Sequence, residues 1–232
     1  MNSFLLQIPL TTDSLSAPVI TEKTLSVIDL ITSGGIGGNL VMGALGVLSI
    51  FAVYILIERF SAIRKASIED DSFLKSIQNF VEAKDIEAAK TLCRNTDSPI
   101  SRMIEKGVNR INKPMTDISA AIENQGKLEV FKMENNLANL ATISGAAPMI
   151  GFLGTVIGMI VAFHEMASAG GNIDVEMLSK GIYTAMTTTV AGLIVGIIAF
   201  IAYNYLVSKV DKVVFTLEAK TTEFLDLLHH NE

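Results

Sequence analysis

The sequence predicts an all-α integral membrane protein: three transmembrane helices joined to long cytoplasmic helical extensions. Two observations carry this. Half of the 232 residues are hydrophobic, only 18% are charged, and the mean hydropathy is +0.45, a makeup foreign to an ordinary soluble domain. Residues 30–57, 135–163 and 181–208 contain no Asp, Glu, Lys, Arg or His. As helices, such stretches reach roughly 42 Å against a hydrocarbon core of about 30 Å, so each can span a bilayer.

Orientation follows from the cations, which are retained on the cytoplasmic side. Of the 18 basic residues, 13 lie in 58–134 and 3 follow residue 208, while the N-terminal arm and the loop 164–180 hold only Lys23 and Lys180. The N-terminus is expected outside and the C-terminus inside. The division along the chain is then an outer arm with an amphipathic helix (1–38), span 1 (39–60), a cytoplasmic helical domain (61–134), span 2 (135–163), an outer loop (164–180), span 3 (181–208) and a cytoplasmic C-terminal helix (209–232).

Residues 24–36 read as a short amphipathic segment, apolar at Leu25, Ile28, Leu30 and Ile31 and closed by the cluster Gly34, Gly35, Gly37, Gly38; it either lies on the outer membrane surface or forms part of a longer first span. Residues 1–7 lack a basic region and are followed by Pro9, which argues against a cleaved secretory signal. Span 1 ends in bulky side chains and then Glu58-Arg59, a charged pair expected to reach the membrane interface. In the cytoplasmic domain, Phe73, Leu74, Ile77, Phe80 and Val81 form a helical stripe, and 85–93 and 98–111 repeat the habit. Pro114 opens a further helix that has no breaker before Asn135 and is expected to continue straight into span 2. The tail spaces Val213, Val214, Leu217, Phe224, Leu225 and Leu228 helically as well.

Several function classes fall away. The net charge of −6 is spread without a basic face for nucleic acid. Lone Cys93 allows no intrachain disulfide and reads as a small buried apolar residue. The three histidines, His164, His229 and His230, show no metal-ligand spacing, and no nucleophile motif or phosphate-cradling loop appears, so neither an enzyme nor a metal or organic cofactor is expected.

The informative features lie inside spans 2 and 3. At 100° per residue, Gly151, Gly154, Gly158, Ala147, Pro148 and Thr155 share one side of span 2, and bulky residues cover the other. Span 3 repeats this with Thr184, Ala185, Thr188, Thr189, Gly192 and Gly196, while Thr187 points to the bulky side. Pro148, Gly151, Gly154, Gly158, Gly192 and Gly196 are therefore expected to pack helices closely. A lone monomer would leave these small faces against lipid, which argues for assembly. Thr155 and Thr189 fall roughly 8–9 Å outward of the midplane on their antiparallel helices and form one polar level. Neither of these spans holds a carboxylate, histidine, lysine or arginine. If protons cross here, a partner must supply the carboxylate, and this chain offers a hydroxyl-lined surface from Thr155, Thr184, Thr188 and Thr189.

At these residues the sequence resembles the ExbB/TolQ/MotA proton-channel family. Leu140-Ala141-Thr142-Ile143 and Pro148-Met149-Ile150-Gly151-Phe152-Leu153-Gly154-Thr155-Val156-Ile157-Gly158, with Ala162-Phe163, are similar to its second-span signature. Gly181-Ile182, Ala185, Thr189, Gly192-Leu193, Ala199 and Tyr203-Asn204 are similar to its third-span signature. The resemblance implies a bacterial inner-membrane subunit, five copies of which surround two ExbD-like single-span partners, each with a membrane Asp. It implies lumen-facing roles for Thr155 and Thr189, and proton-driven turning that works on the outer membrane through a TonB-like arm. Two departures stand out: Thr184 where many ExbB and TolQ proteins have Glu, and Ile198 where they have Pro. The short chain fits ExbB or TolQ better than the four-span MotA type, and ExbB over TolQ. A passive scaffold assembled through the small faces is the non-motor reading.

Overall fold

The computed structural model describes residues 35–67, 71–168 and 175–230 of the chain, and these residues are helical with short connections and no strand. Helix α1 (Gly35–Ala66), α6 (Leu137–Ser168) and α7 (Val175–His230) each contain a stretch long and apolar enough to cross a membrane. Between α1 and α6 lie α2 (Asp71–Glu82), α3 (Ile86–Asn95), α4 (Pro99–Val108) and α5 (Met115–Glu134). At 1.5 Å per residue, the 56 residues of α7 make a rod of roughly 84 Å, far beyond a bilayer's hydrocarbon. Span 3 and the C-terminal tail are thus one uninterrupted helix.

That rod is the spine of the fold. Beyond the membrane stretch its buried Val213, Leu217, Phe224 and Leu228 meet Phe73, Ile77, Ile104, Val108, Ile118 and Ile122 of the small helices in one core. The small helices start where local chemistry tells them to. Asp85 accepts a hydrogen bond from Ala88 N–H at the start of α3, and Ser98 and Ser101 form a reciprocal capping box at α4 with Pro99 at its first position. Gly107 lets α4, α5 and α7 converge: a Cβ there would lie 2.7 Å from Ile122 Cδ1 and 2.9 Å from Phe224 Cε1.

One expectation changes. The helix opened by Pro114 does not run into span 2, because Asn136 adopts φ 64° and the chain turns between α5 and α6. Asparagine tolerates this left-handed backbone better than most residues, so an Asn-Asn pair breaks a helix without glycine or proline. The break leaves α5's last carbonyls without helical donors. Arg59 supplies one: its Nη1 donates to Lys132 O at 2.9 Å, while Nη2 pairs with Glu58 at 2.6 Å. The Glu58-Arg59 pair, which closes span 1, thus packs across this helix end, with the Arg59 side chain buried. A cation is favoured there by the helix dipole as well as by the open carbonyl.

The glycine cluster falls at the start of the first long helix. Most of the expected amphipathic segment, 24–34, lies outside the described residues, but Gly35, Gly37 and Gly38 belong to α1 itself. Gly37 and Gly38 bring α1 close to the other spans, their Cβ positions lying 2.9 Å from Ile157 Cγ2 and 3.7 Å from Thr184 Cγ2.

Buried charge among the small helices is concentrated at Glu129, whose side chain is 2% exposed. Arg102 Nη2 donates to it at 2.7 Å, Lys132 Nζ at 2.9 Å and Gln125 Nε2 at 2.8 Å. Burial alone would push this carboxyl up, but the hydrogen bonds from Arg102 and Lys132 outweigh it and hold the group below the usual carboxylate range.

Candidate functional site: the hydroxyl cluster between the last two spans

The small faces of α6 and α7 pack on each other within one chain, from Ala162 against Gly181 down to Pro148 against Gly196. A Cβ at Gly158 would sit 2.9 Å from Ala185 Cβ, one at Gly154 2.5 Å from Thr188 Oγ1, and one at Gly151 2.7 Å from Thr188 O. At Gly192 it would meet Ala147 O at 2.5 Å and Gly151 Cα at 2.9 Å. Backbones this close leave no room for any side chain, which is why the pattern demands glycine. Pro148 interrupts the α6 hydrogen-bond ladder, and its ring lies 2.6 Å from the Cβ position of Gly196. The expectation that a lone monomer would leave these faces against lipid is therefore corrected, since each covers the other.

The threonines divide into two sets. Thr188 and Thr184 are buried, at 1% and 8% exposure. Thr188 Oγ1 donates to Ala185 O at 2.7 Å and reaches Gly151 O at 3.1 Å, while Thr184 Oγ1 donates to Lys180 O at 2.9 Å. Both are covered inside the protomer. Thr155 and Thr189 are half-buried at the edge of the pair, and their hydroxyls hydrogen-bond each other. Thr189 Oγ1 also reaches Gly151 O at 3.1 Å, and Thr155 Oγ1 reaches Ala185 O at 3.3 Å and Gly151 O at 3.4 Å. The sequence placed Thr155 and Thr189 at one level; the structure joins them directly.

The Gly151 carbonyl, common to three hydroxyls, had no signal in the sequence, because a main-chain acceptor becomes visible only when two helices are docked. Each hydroxyl carries one proton and two lone pairs. If Thr189 donates to Gly151 O and Thr155 to Thr189, the Thr155 oxygen keeps its lone pairs for an outside donor. Reversing the pair's bond frees Thr189 instead. The edge can thus accept from a protonated group, or, by rotation of a hydroxyl, donate to an ionised one. Among the described residues no cluster of three His, Cys, Asp or Glu side chains could hold a metal ion, and the charged residues lie outside the uncharged stretches of the spans.

Fold and site define a three-span membrane protein whose last two spans form a tight small-residue pair with a hydroxyl cluster at its edge. The chain belongs to the MotA/TolQ/ExbB proton channel family, which it matches over residues 95–219. It is 27% identical over 194 residues to a biopolymer transport protein ExbB homolog of Methanothermobacter thermautotrophicus, covering 83% of this chain and 67% of that one. A biopolymer transport protein ExbB-like 1 of Synechocystis is 28% identical over 200 residues, covering 83% of this chain and 75% of the relative. The Tol-Pal system protein TolQ of Pseudomonas aeruginosa is 25% identical over 223 residues, covering 91% and 96%. The family is one of proton channels rather than a class of enzymes.

Proposed function

We propose that this chain is an ExbB-like subunit of a proton-driven motor in the bacterial inner membrane, with its N-terminus periplasmic and its C-terminus cytoplasmic. It forms a ring, of five copies by resemblance, around ExbD-like single-span helices and couples proton flow to TonB-dependent transport at the outer membrane. The observation that carries the reading is the Thr155–Thr189 hydroxyl pair, half-buried at the edge of spans that hold no carboxylate, histidine, lysine or arginine. Such a chain cannot relay a proton alone, but it can hydrate or hydrogen-bond a carboxylate brought by a partner. Thr184 and Thr188 are covered within the protomer and are not exposed to a lumen in this reading.

Self-association has its own support. Phe131 and Phe215 are 70% and 73% exposed on stretches beyond the uncharged spans, where lipid tails cannot cover them. A second copy can. The near end-to-end match to a TolQ protein favours a second reading, service in a Tol-Pal envelope system. Purifying the native complex and identifying its companion tests both. A single-span protein with a membrane Asp supports the motor; its absence from an intact complex refutes it. Loss of TonB-dependent uptake on deletion, with the envelope intact, selects the ExbB role over the TolQ one.

A further inference from the structure

A cavity of about 340 Å³ lies where α1 and α7 leave the uncharged stretches, with Ile63 and Leu206 as its floor and Phe60, Arg64, Tyr205 and Lys209 around it. The Phe60 and Tyr205 rings stack with centroids 6.3 Å apart, and Lys209 Nζ sits 5.4 Å from the Tyr205 centroid. Aromatic rings of this kind mark headgroup depth in a membrane. Among the described residues neither Arg64 nor Lys209 has an acidic partner, so two cations face one hollow without compensation.

A second hollow, a small gap of about 50 Å³, lies deeper in the uncharged stretch where α1, α6 and α7 meet, bordered by Val53, Leu56, Leu140, Ile198 and Ala202. At 100° per residue, the residues lining the two hollows share one arc of about 120° on α1 and one on α7. On these arcs Val53 and Ile198 are 45% and 53% exposed, so an apolar strip runs from the upper hollow along the spans. Leu56 and Val53 lie roughly 12–16 Å along the axis from Arg64, at 1.5 Å per residue.

We infer that this face holds one phospholipid with a net negative headgroup, its phosphate between Arg64 and Lys209, its glycerol region against the Phe60–Tyr205 pair and one acyl chain along the exposed Val53 and Ile198. Charge selects the headgroup, since a zwitterionic lipid brings its own cation to the site. The exposed apolar side chains select a lipid over a free phosphate, which could use only the upper hollow.

The test is native mass spectrometry of the delipidated full-length protein in detergent, titrated with phosphatidylglycerol, with phosphatidylcholine of the same acyl chains, and with inorganic phosphate. One bound phosphatidylglycerol is expected per chain, preferred over phosphatidylcholine by about 30-fold at roughly 1 kcal/mol per cation. Arg64→Gln with Lys209→Gln should abolish the preference, while Lys65→Gln with Lys113→Gln, the same charge change off this face, should leave it. Equal retention of the two lipids, survival of the preference in the Arg64/Lys209 variant, its loss in the Lys65/Lys113 control, or displacement by inorganic phosphate would each overturn the assignment.

Discussion

Replacing Gly192 by Ala tests whether the last two spans are held by backbone contact. The added Cβ would lie 2.5 Å from Ala147 O and 2.9 Å from Gly151 Cα, both main-chain atoms that no rotamer change can move. Ordinary contact begins near 3.4 Å, so α6 and α7 must separate by about 0.9 Å at this level. The 3.1 Å reaches from Thr188 and Thr189 to Gly151 O would then pass beyond hydrogen-bond range. Overpacking of this kind costs about 1–3 kcal/mol, or roughly 2–12 °C in Tm for a chain of this size. Thermal unfolding of the detergent-purified protein reads it, with Gly46→Ala, whose Cβ would meet nothing within 4 Å, as the control. A Gly192→Ala protein that unfolds with wild type would refute the close-packed pair.

Three further outcomes follow from separate parts of the fold. Phe131→Ser with Phe215→Ser should dissociate the oligomer in native mass spectra while leaving the helical circular dichroism unchanged, because both rings are exposed on the single chain; intact oligomers would contradict the proposed self-contact. Glu129 is held below its unfolded pKa, so its contribution is present above about pH 4.3 and lost as pH falls through its lower native value. Glu129→Gln should therefore destabilise the small-helix domain by about 1–3 kcal/mol at pH 7 and flatten the acid limb of the stability curve; an unchanged limb argues against the cluster. Cys93 is buried and its thiol is pushed up to about 12, by burial first and by Glu105 second. It should resist maleimide even after cell lysis, so topology needs Thr222→Cys and His164→Cys in a Cys93→Ala background, with only the latter labelling from outside.

Much of this fold is legible in composition and periodicity, because a bilayer forces long apolar helices and those leave a strong signal. The small faces of spans 2 and 3 were equally legible, since glycine and alanine at helical spacing have few other uses in a membrane. What they pack against was not. Periodicity describes one helix at a time, and the choice between a neighbour in the same chain and one in another copy depends on docking. The turn at Asn136 was hidden for a related reason: neither Asn135 nor Asn136 breaks a helix by itself, and Arg59, 73 residues before Lys132, helps to hold the end. Within the site, Thr155 and Thr189 could be found by depth and angle alone. The burial of Thr184 and Thr188 could not, because both lie on the same arc and only the approach of α1 and α6 covers them.

The central claim, that the edge hydroxyls serve a carboxylate carried by a partner, is tested most directly by proton flux through the complex with its companion protein present. Thr155→Val and Thr189→Val keep the side-chain shape and remove donor and acceptor, at about 0.6 kcal/mol per membrane hydrogen bond. The double variant should assemble to wild-type levels. Its flux and energy-dependent uptake should fall, because a carboxylate without hydrogen-bond partners in apolar surroundings resists ionisation. Thr187→Val, whose hydroxyl bonds only Tyr183 O one turn back at 3.0 Å, should conduct normally. Full flux through an assembled Thr155→Val, Thr189→Val complex would contradict the account.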